Sequence, residues 1–560
     1  MEKRHITVEA VLYVLIFFAA VMLRLFNLDL LALGDVEAHW ALKAFTHSWG
    51  GSQPGYTLLT GQLFAFAGSS NALARGIPAV IGALMVFLPI FLRKPFGKKV
   101  ALVFALALAL DPGMVAISRT ADGRVLAVGF TLLVLTGLIS RREALAGVGL
   151  AMALLSGPSL WPGWLGIMLA GGLFCWAENV RLPEIRALVQ LNWKKVGLWF
   201  AGTLLVGGTW FLTSPQTLGG IGESFAAWIQ GWGQPSGIGI IPMLMALVAY
   251  ETLPMVMGTA GMISGLREKN PVERFLFAWW VIALVITLIY PGRQVSDLVW
   301  SLLPLWLLAA RQTERWTLEV DDRWSLVVQV VITGVVGIFI TMNFAGIFPA
   351  GSQIINQTHA LLVVGGVLLL ALITIVNAWM WSVSGALVGF RSGVLTLLAV
   401  LTVSASIQAA GLGRSPRMEL WRIDSLPVEE DLLLKTTGDI SEQNTGRREV
   451  LSISVINQGQ PSLSWALRKQ DTLYFASGLE MGADPAMVIT ADQQALGVEA
   501  TYTGQDFAWS VQPAWGSFQL SDWIRWLELR NGPVHTQTLL LWVRSDLLPG
   551  GASQSTKITP

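Results

Sequence analysis

Residues 8–47 read VEAVLYVLIFFAAVMLRLFNLDLLALGDVEAHWALKAFTH. The first part, Val8–Leu23, is an apolar run that with its flanks is long enough to cross a bilayer. The part that follows, Arg24–His47, is short, acidic and aromatic. It holds Asp29, Asp35, Glu37, His39 and Trp40 close to the end of the span. Ionisable groups beside a span mark a functional candidate in a chain so poor in charge. The plain structural alternative is an interfacial cap, with Trp40 and Trp49 at headgroup depth and the carboxylates in water.

The rest of the chain agrees with that start. Of its 560 residues 53% are hydrophobic and 13% charged, and the mean hydropathy is +0.59. Apolar runs of about twenty residues recur, which defines an all-α polytopic membrane protein, because a helix satisfies its own backbone in lipid. About thirteen such segments can be drawn. They fall at roughly 8–26, 75–92, 99–117, 124–140, 144–157, 162–177, 195–213, 239–263, 274–290, 296–310, 325–345, 359–380 and 390–410. The opening MEKRH leads into the first run without a small-residue cleavage site, so that run is read as a retained span. A net charge of +1 points to no nucleic-acid partner, and the single Cys175 excludes a disulfide within the chain.

Loop charge sets an orientation. With Lys3 and Arg4 in the cytoplasm, alternate connections carry the basic residues: Arg93 and Lys94, Arg141 and Arg142, Arg181 and Arg186, Arg267, Arg311, and Arg391. Ser214–Gly239 and Ala345–Thr358 carry none. The cations that break the rule all face outward: Lys43, Arg119, Arg124 and Arg293, with Arg24 and Arg75 at outer span ends. Taken singly, each reads as the partner of a nearby carboxylate or a lipid headgroup. Converging on one face, the arginines suit an anion such as phosphate.

This divides the chain into a transmembrane part, 1–410, with outer loops 27–74 and 118–124, and a polar extracytoplasmic part, 411–560. In the latter, Val450–Ile456, Thr472–Phe475, Ala486–Ile489 and Phe507–Val511 read as strands. Ser462–Arg468 and Ser521–Arg530 read as helices, giving a small α/β domain followed by a loose tail, Gly550–Pro560.

Several short motifs occur in order: Arg24-Leu25 closing the first span, Asp35-Val36-Glu37-Ala38-His39 in the first loop, and Gln53-Pro54-Gly55-Tyr56 opening a surface helix. Ala74-Arg75-Gly76-Ile77-Pro78 follows at the second span, then Asp111-Pro112 with Ser118-Arg119, and Tyr290-Pro291-Gly292-Arg293 before Leu303-Pro304-Leu305. In these the chain resembles the GT-C superfamily of membrane glycosyltransferases, nearest the branch with protein O-mannosyltransferases and aminoarabinose transferases. The resemblance covers roughly the first 140 residues well and the later spans more loosely. Two motifs depart from the family pattern. The acidic pair is not adjacent, since Val36 stands between Asp35 and Glu37, and in Ser118–Arg124 the acid and base are exchanged.

The resemblance implies transfer of a sugar from a polyprenyl-phosphate donor to a glycan, lipid or protein acceptor on the outer face of the plasma membrane, with inversion. Asp35 would be the base, supported by Glu37 and Asp122. Arg75, Arg119, Arg124 and Arg293, with His39 and Tyr56, would bind the substrate. No cofactor is certain. A divalent metal is conceivable in this family, but His39 has only His47 as a histidine neighbour in sequence. The structural alternatives are that Asp35 and Glu37 cap the surface helix, that Asp122 pairs with Arg124, and that Arg293 is an interfacial anchor. The alternative function is a catalytically inactive scaffold that binds lipid-linked glycans during envelope assembly.

Overall fold

The computed structural model describes residues 7–179, 191–316, 323–349, 354–422, 424–456, 459–477, 484–491 and 501–549. Lys3, Arg4, Arg181, Arg186 and the tail from Gly550 lie outside them. The protein is a multi-pass helical membrane protein. Among the described residues, seven helices are long and apolar enough to cross a membrane, or nine if each of two bent helix pairs counts as one span. The other expected segments are shorter helices, Arg124–Ser140, Glu143–Leu154, Trp193–Thr203 and Val299–Arg315.

The first helix, α1 (Val8–Leu25), starts at Thr7, whose hydroxyl accepts from the Ala10 backbone. Three helices follow it: α2 (Asp35–Phe45), α3 (Pro54–Ala67) and α4 (Asn71–Leu84), the last continuing as a tighter helix to Leu92 and forming a candidate span. Next come α5 (Lys98–Leu110) and α6 (Pro112–Ser118), bent 54° against each other. The break follows from Pro112, which has no N–H to continue the ladder. Its carbonyls are not left bare. Arg24, fully buried, donates to the Ala109 and Leu108 carbonyls at 2.8 and 2.7 Å, and Asp111 Oδ1 caps α6 through the Met114 N–H at 2.6 Å.

A second break faces the first. Helices α7 (Ile240–Tyr250) and α8 (Thr252–Arg267) bend 87° at Glu251. The Glu251 carboxyl accepts from the Gly113 N–H at 3.3 Å, and Trp306 Nε1 donates to Asp111 Oδ2 at 2.5 Å. Freed backbone groups inside a bundle are tolerated when neighbouring side chains satisfy them in this way.

The C-terminal part carries a six-stranded mixed sheet: β1 (Leu426–Pro427), β2 (Ile453–Ile456), β3 (Leu473–Ala476), β4 (Met487–Ala491), β5 (Tyr502–Pro513) and β6 (Val534–Arg544), in the order β1-β5-β6-β4-β2-β3. The β2 strand runs parallel to β3 and β4; the other pairs are antiparallel. The four expected strands are present. The β6 strand was not read from the sequence, although its buried Leu539, Leu541 and Val543 alternate as a half-buried strand requires. A helix over Glu430–Thr445 was also missed. Short helices α9 (Pro461–Ala466) and α10 (Leu520–Leu529) replace the expected Ser462–Arg468 and Ser521–Arg530.

The sheet part contacts the start of α4 through polar groups. Trp465 Nε1 donates to Asn71 Oδ1 at 2.7 Å, and Arg468 reaches Ser69 through its hydroxyl and carbonyl, each at 3.1 Å. Trp526 Nε1 donates to the Met418 carbonyl at 2.7 Å. Burial of Trp465 and Trp526 supplies apolar contact around these bonds.

Candidate active site

The site is assembled where α2, α4 and the loop 118–124 meet. Glu37, in the first turn of α2, is 6% exposed. It is held by Arg75 of α4 in a two-pronged ion pair, with Nε at 2.8 Å from Oε1 and Nη2 at 2.5 Å from Oε2. The remaining Arg75 donors go to the carbonyls of Leu28, Leu31 and Ala32. Glu37 Oε1 also accepts the Ala121 N–H at 2.8 Å. One carboxylate thus ties α2, α4 and the 118–124 loop together. Burial works against the Glu37 charge, but Arg75 outweighs it and holds the carboxyl below its ordinary value.

The loop is pinned at both ends. Arg119 donates to the carbonyls of Leu23, Arg24, Phe26 and Asn27, which closes the C-terminus of α1. Gly123 gives its N–H to Gln53 Oε1 at 2.7 Å. A Cβ at Gly123 would lie 1.8 Å from the Ser156 carbonyl oxygen, so only glycine fits there. Between these fixed points Asp122 and Arg124 pair at 3.0 Å, and Asp122 Oδ1 accepts the Arg124 N–H at 2.9 Å. Burial pushes the Asp122 carboxyl up while Arg124 pulls it down, with a net rise.

Arg124 faces a cavity of about 200 Å³. Asp122, Glu37, Gln294, Ser236, Arg422 and Asp424 line it with Arg124. A second cavity of about 130 Å³ shares Arg124 and Gln294 with it and adds Asp297, Tyr290 and Trp228. Asp424 Oδ2 accepts the Val36 N–H at 2.9 Å and so caps α2 from the C-terminal part. Burial pushes the Asp424 carboxyl up to about 7, against the lowering effect of that N–H, and Glu37 and Asp35 add to the rise. Arg422 is buried and reaches the Arg119 carbonyl at 3.4 Å. Burial, then the neighbouring Arg75, lowers it to about 10. In one cavity a guanidinium can hold an anion while a neighbouring carboxylate takes a proton from a hydroxyl.

No protein-family model matches the sequence, and none of the curated proteins matches it. Solved structures do match. ArnT from Cupriavidus metallidurans in the apo state is 14% identical, overlays with a TM-score of 0.58, and is covered over 99% of its length by 96% of this chain. The same enzyme bound to undecaprenyl phosphate is 12% identical, with a TM-score of 0.55 over 97% of this chain and 98% of its own. The chain has the GT-C fold. A third match, the oligosaccharyltransferase of Archaeoglobus fulgidus, is 15% identical over 84% of this chain and 63% of its own, and its TM-score of 0.39 is too low to bear on the fold.

On this GT-C frame the expected site residues fall into two groups. Glu37, Asp122 and Arg124 line the central cavity. Asp35 is not among its lining residues; Asp35 Oδ1 instead accepts from the N–H and hydroxyl of Ser462 at 3.1 and 2.6 Å. Arg75 and Arg119 hold a carboxylate and backbone carbonyls as described. Arg293 donates to the carbonyls of Ile238 and Leu288 at 2.9 and 3.0 Å. Tyr56 is buried and donates to the Ala74 carbonyl at 2.9 Å. His39 is exposed, edge-on to Trp40. Among the described residues no three His, Cys, Asp or Glu side chains are grouped to hold a metal ion.

Sequence reasoning missed Arg422, Asp424, Gln294 and Asp297. Arg422 and Asp424 stand two apart just after the last span, as Asp122 and Arg124 stand two apart after α6. That repeated spacing at span ends was the available signal.

Proposed function

We propose that this protein transfers a sugar from a polyprenyl-phosphate donor to a hydroxyl acceptor, at the outer face of the plasma membrane. In this reading residues 1–410 form the membrane part and 411–560 the extracytoplasmic part. Arg124 binds the donor phosphate and stabilises the charge left on it as the sugar departs. Asp424 takes the proton from the attacking hydroxyl, since a carboxyl near neutrality alternates readily between its two forms. Asp122 orients Arg124 through their ion pair. Glu37 and Arg75 hold α2 to α4 and are structural. The acceptor hydroxyl attacks the anomeric carbon from the face opposite the phosphate, so the configuration inverts.

The observation that carries this reading is the cavity itself: Arg124, Asp122 and Asp424 line one cavity on a fold that, in ArnT, was solved with undecaprenyl phosphate bound. The test is turnover by the purified protein in lipid nanodiscs, read as release of undecaprenyl phosphate from undecaprenyl-phosphate sugars. Turnover by the unmodified protein and its loss in Asp424→Asn support the reading. Equal rates in the two proteins overturn it.

The scaffold reading is favoured by one observation. Glu37, Asp35 and Arg293 direct side-chain hydrogen bonds to partners inside the protein, as do the two terminal nitrogens of Arg119. Binding of undecaprenyl phosphate without turnover of any donor would decide for it.

A further inference from the structure

A third cavity, of about 770 Å³, opens beside the central one and shares Ser236, Ile238 and Gln512 with it. One wall is Ser236–Pro242, the connection that enters α7. The other comes from the C-terminal part: the end of β5, the turn 514–518 and the start of α10. Its aromatic residues form a cluster. Trp515 and Trp523 stack with planes 15° apart and centroids 5.6 Å apart, and Phe518 lies 4.9 and 5.0 Å from them. Gln512, Ser517, His535 and Ser236 line the cavity around this cluster; the Ser236 and Ser517 hydroxyls donate to the Arg293 and Ala514 carbonyls and keep oxygen lone pairs as acceptors. Among the described residues, no Asp, Glu, Lys or Arg lines the cavity.

We infer that this cavity is an acceptor subsite for a neutral saccharide; the inference rests on the transferase reading above. A pyranose ring has an apolar C–H face and an equatorial rim of hydroxyls. Indole rings suit the face, and uncharged amide, hydroxyl and imidazole groups suit the rim. The absence of charge from the lining gives a phosphorylated or acidic ligand no counter-ion, which argues against both. The shared wall gives direction: a chain of sugars lying on Trp515 can extend past Gln512 and Ser236 to present a terminal hydroxyl to the central cavity. The cavity at Trp515 is the larger of the two, so it holds ring units while the central one holds the reacting end.

The test is saturation-transfer NMR on the full-length protein in nanodiscs, with cellotriose as the saccharide probe and a neutral Ser/Thr pentapeptide as the competing class. Cellotriose is expected to give a signal that weakens about tenfold in Trp515→Ala, consistent with loss of an aromatic contact. The pentapeptide is expected to give none. Trp515 also packs on Trp526, so a second variant fills the cavity instead. Gly516→Trp places its ring where a Cβ meets no atom within 4 Å, and it too should abolish the cellotriose signal. A signal unchanged in Gly516→Trp, no cellotriose signal from the unmodified protein, or a pentapeptide signal lost in Gly516→Trp each overturns the inference. Undecaprenyl phosphate binding, measured on the same samples, separates the two readings. Its persistence in Gly516→Trp with cellotriose unaffected removes only the subsite, whereas its absence from the unmodified protein removes the transferase reading.

Discussion

Asp35 and Ser462 join α2 to the sheet part: Asp35 Oδ1 takes both the N–H and the hydroxyl of Ser462, at 3.1 and 2.6 Å. Ser462 lies in the first turn of α9, so Asp35 serves as a cap supplied from another part of the chain. Asp35→Asn should therefore act on docking rather than on chemistry. We expect a stability loss of about 1 kcal/mol, read as a lower unfolding temperature, with turnover within about threefold of the unmodified rate. A fall of two orders of magnitude in turnover at unchanged stability would return the base role to Asp35.

The Glu37–Arg75 pair behaves differently. Removing one partner leaves the other charge buried, which costs about 3–5 kcal/mol. Glu37→Gln should therefore reduce the yield of folded protein and lower its thermal midpoint steeply. Arg75→Lys should do the same, because a lysine cannot reach the Leu28, Leu31 and Ala32 carbonyls and Glu37 together. Thermal unfolding in detergent checks both.

Asp424 ties pH to both rate and stability. Its folded value of about 7 lies above the ordinary 3.8, so the folded protein keeps this proton over a range where the unfolded chain has lost it. The stability contributed by the proton is full below about pH 4 and is lost as pH rises through about 7. Unfolding midpoints measured from pH 4.5 to 8 should fall with pH in the unmodified protein, and the slope should flatten in Asp424→Asn. Turnover should rise over the same interval, since the base form is the ionised one. Asp424→Asn should lower the rate by about two to four orders of magnitude.

Arg124→Lys keeps the charge but loses the planar fork. Undecaprenyl phosphate should bind at least about tenfold more weakly to it. Arg293→Lys is the comparison: its donors already serve the Ile238 and Leu288 carbonyls, so lipid-phosphate affinity should stay while stability drops. Titration of nanodisc-embedded protein with the lipid reads both.

From the loop-charge pattern we propose that the C-terminal part lies outside the cytoplasm. A reporter fused after residue 560 that fluoresces only in the cytoplasm should stay dark. Fluorescence would reverse the orientation and put the proposed site on the wrong face.

The sequence by itself determined the membrane class and the helical segments. These follow from local physics. A run of about twenty apolar residues has few folded outcomes, and Pro112 breaks a helix whatever surrounds it. Asp122 and Arg124, two residues apart, were bound to be neighbours. Tertiary structure alone decided which charges line the cavity and which bond elsewhere. Asp35 and Glu37 are equivalent in composition and two residues apart, yet one caps α9 from 427 residues away and the other meets Arg75 across 38. Arg422 and Asp424 reach the cavity from a separation of about 300 residues or more from Arg119 and Val36. A side chain's role depends on whether its hydrogen-bonding capacity is used up by the fold. That is settled by chain segments distant in sequence, and no local pattern records it.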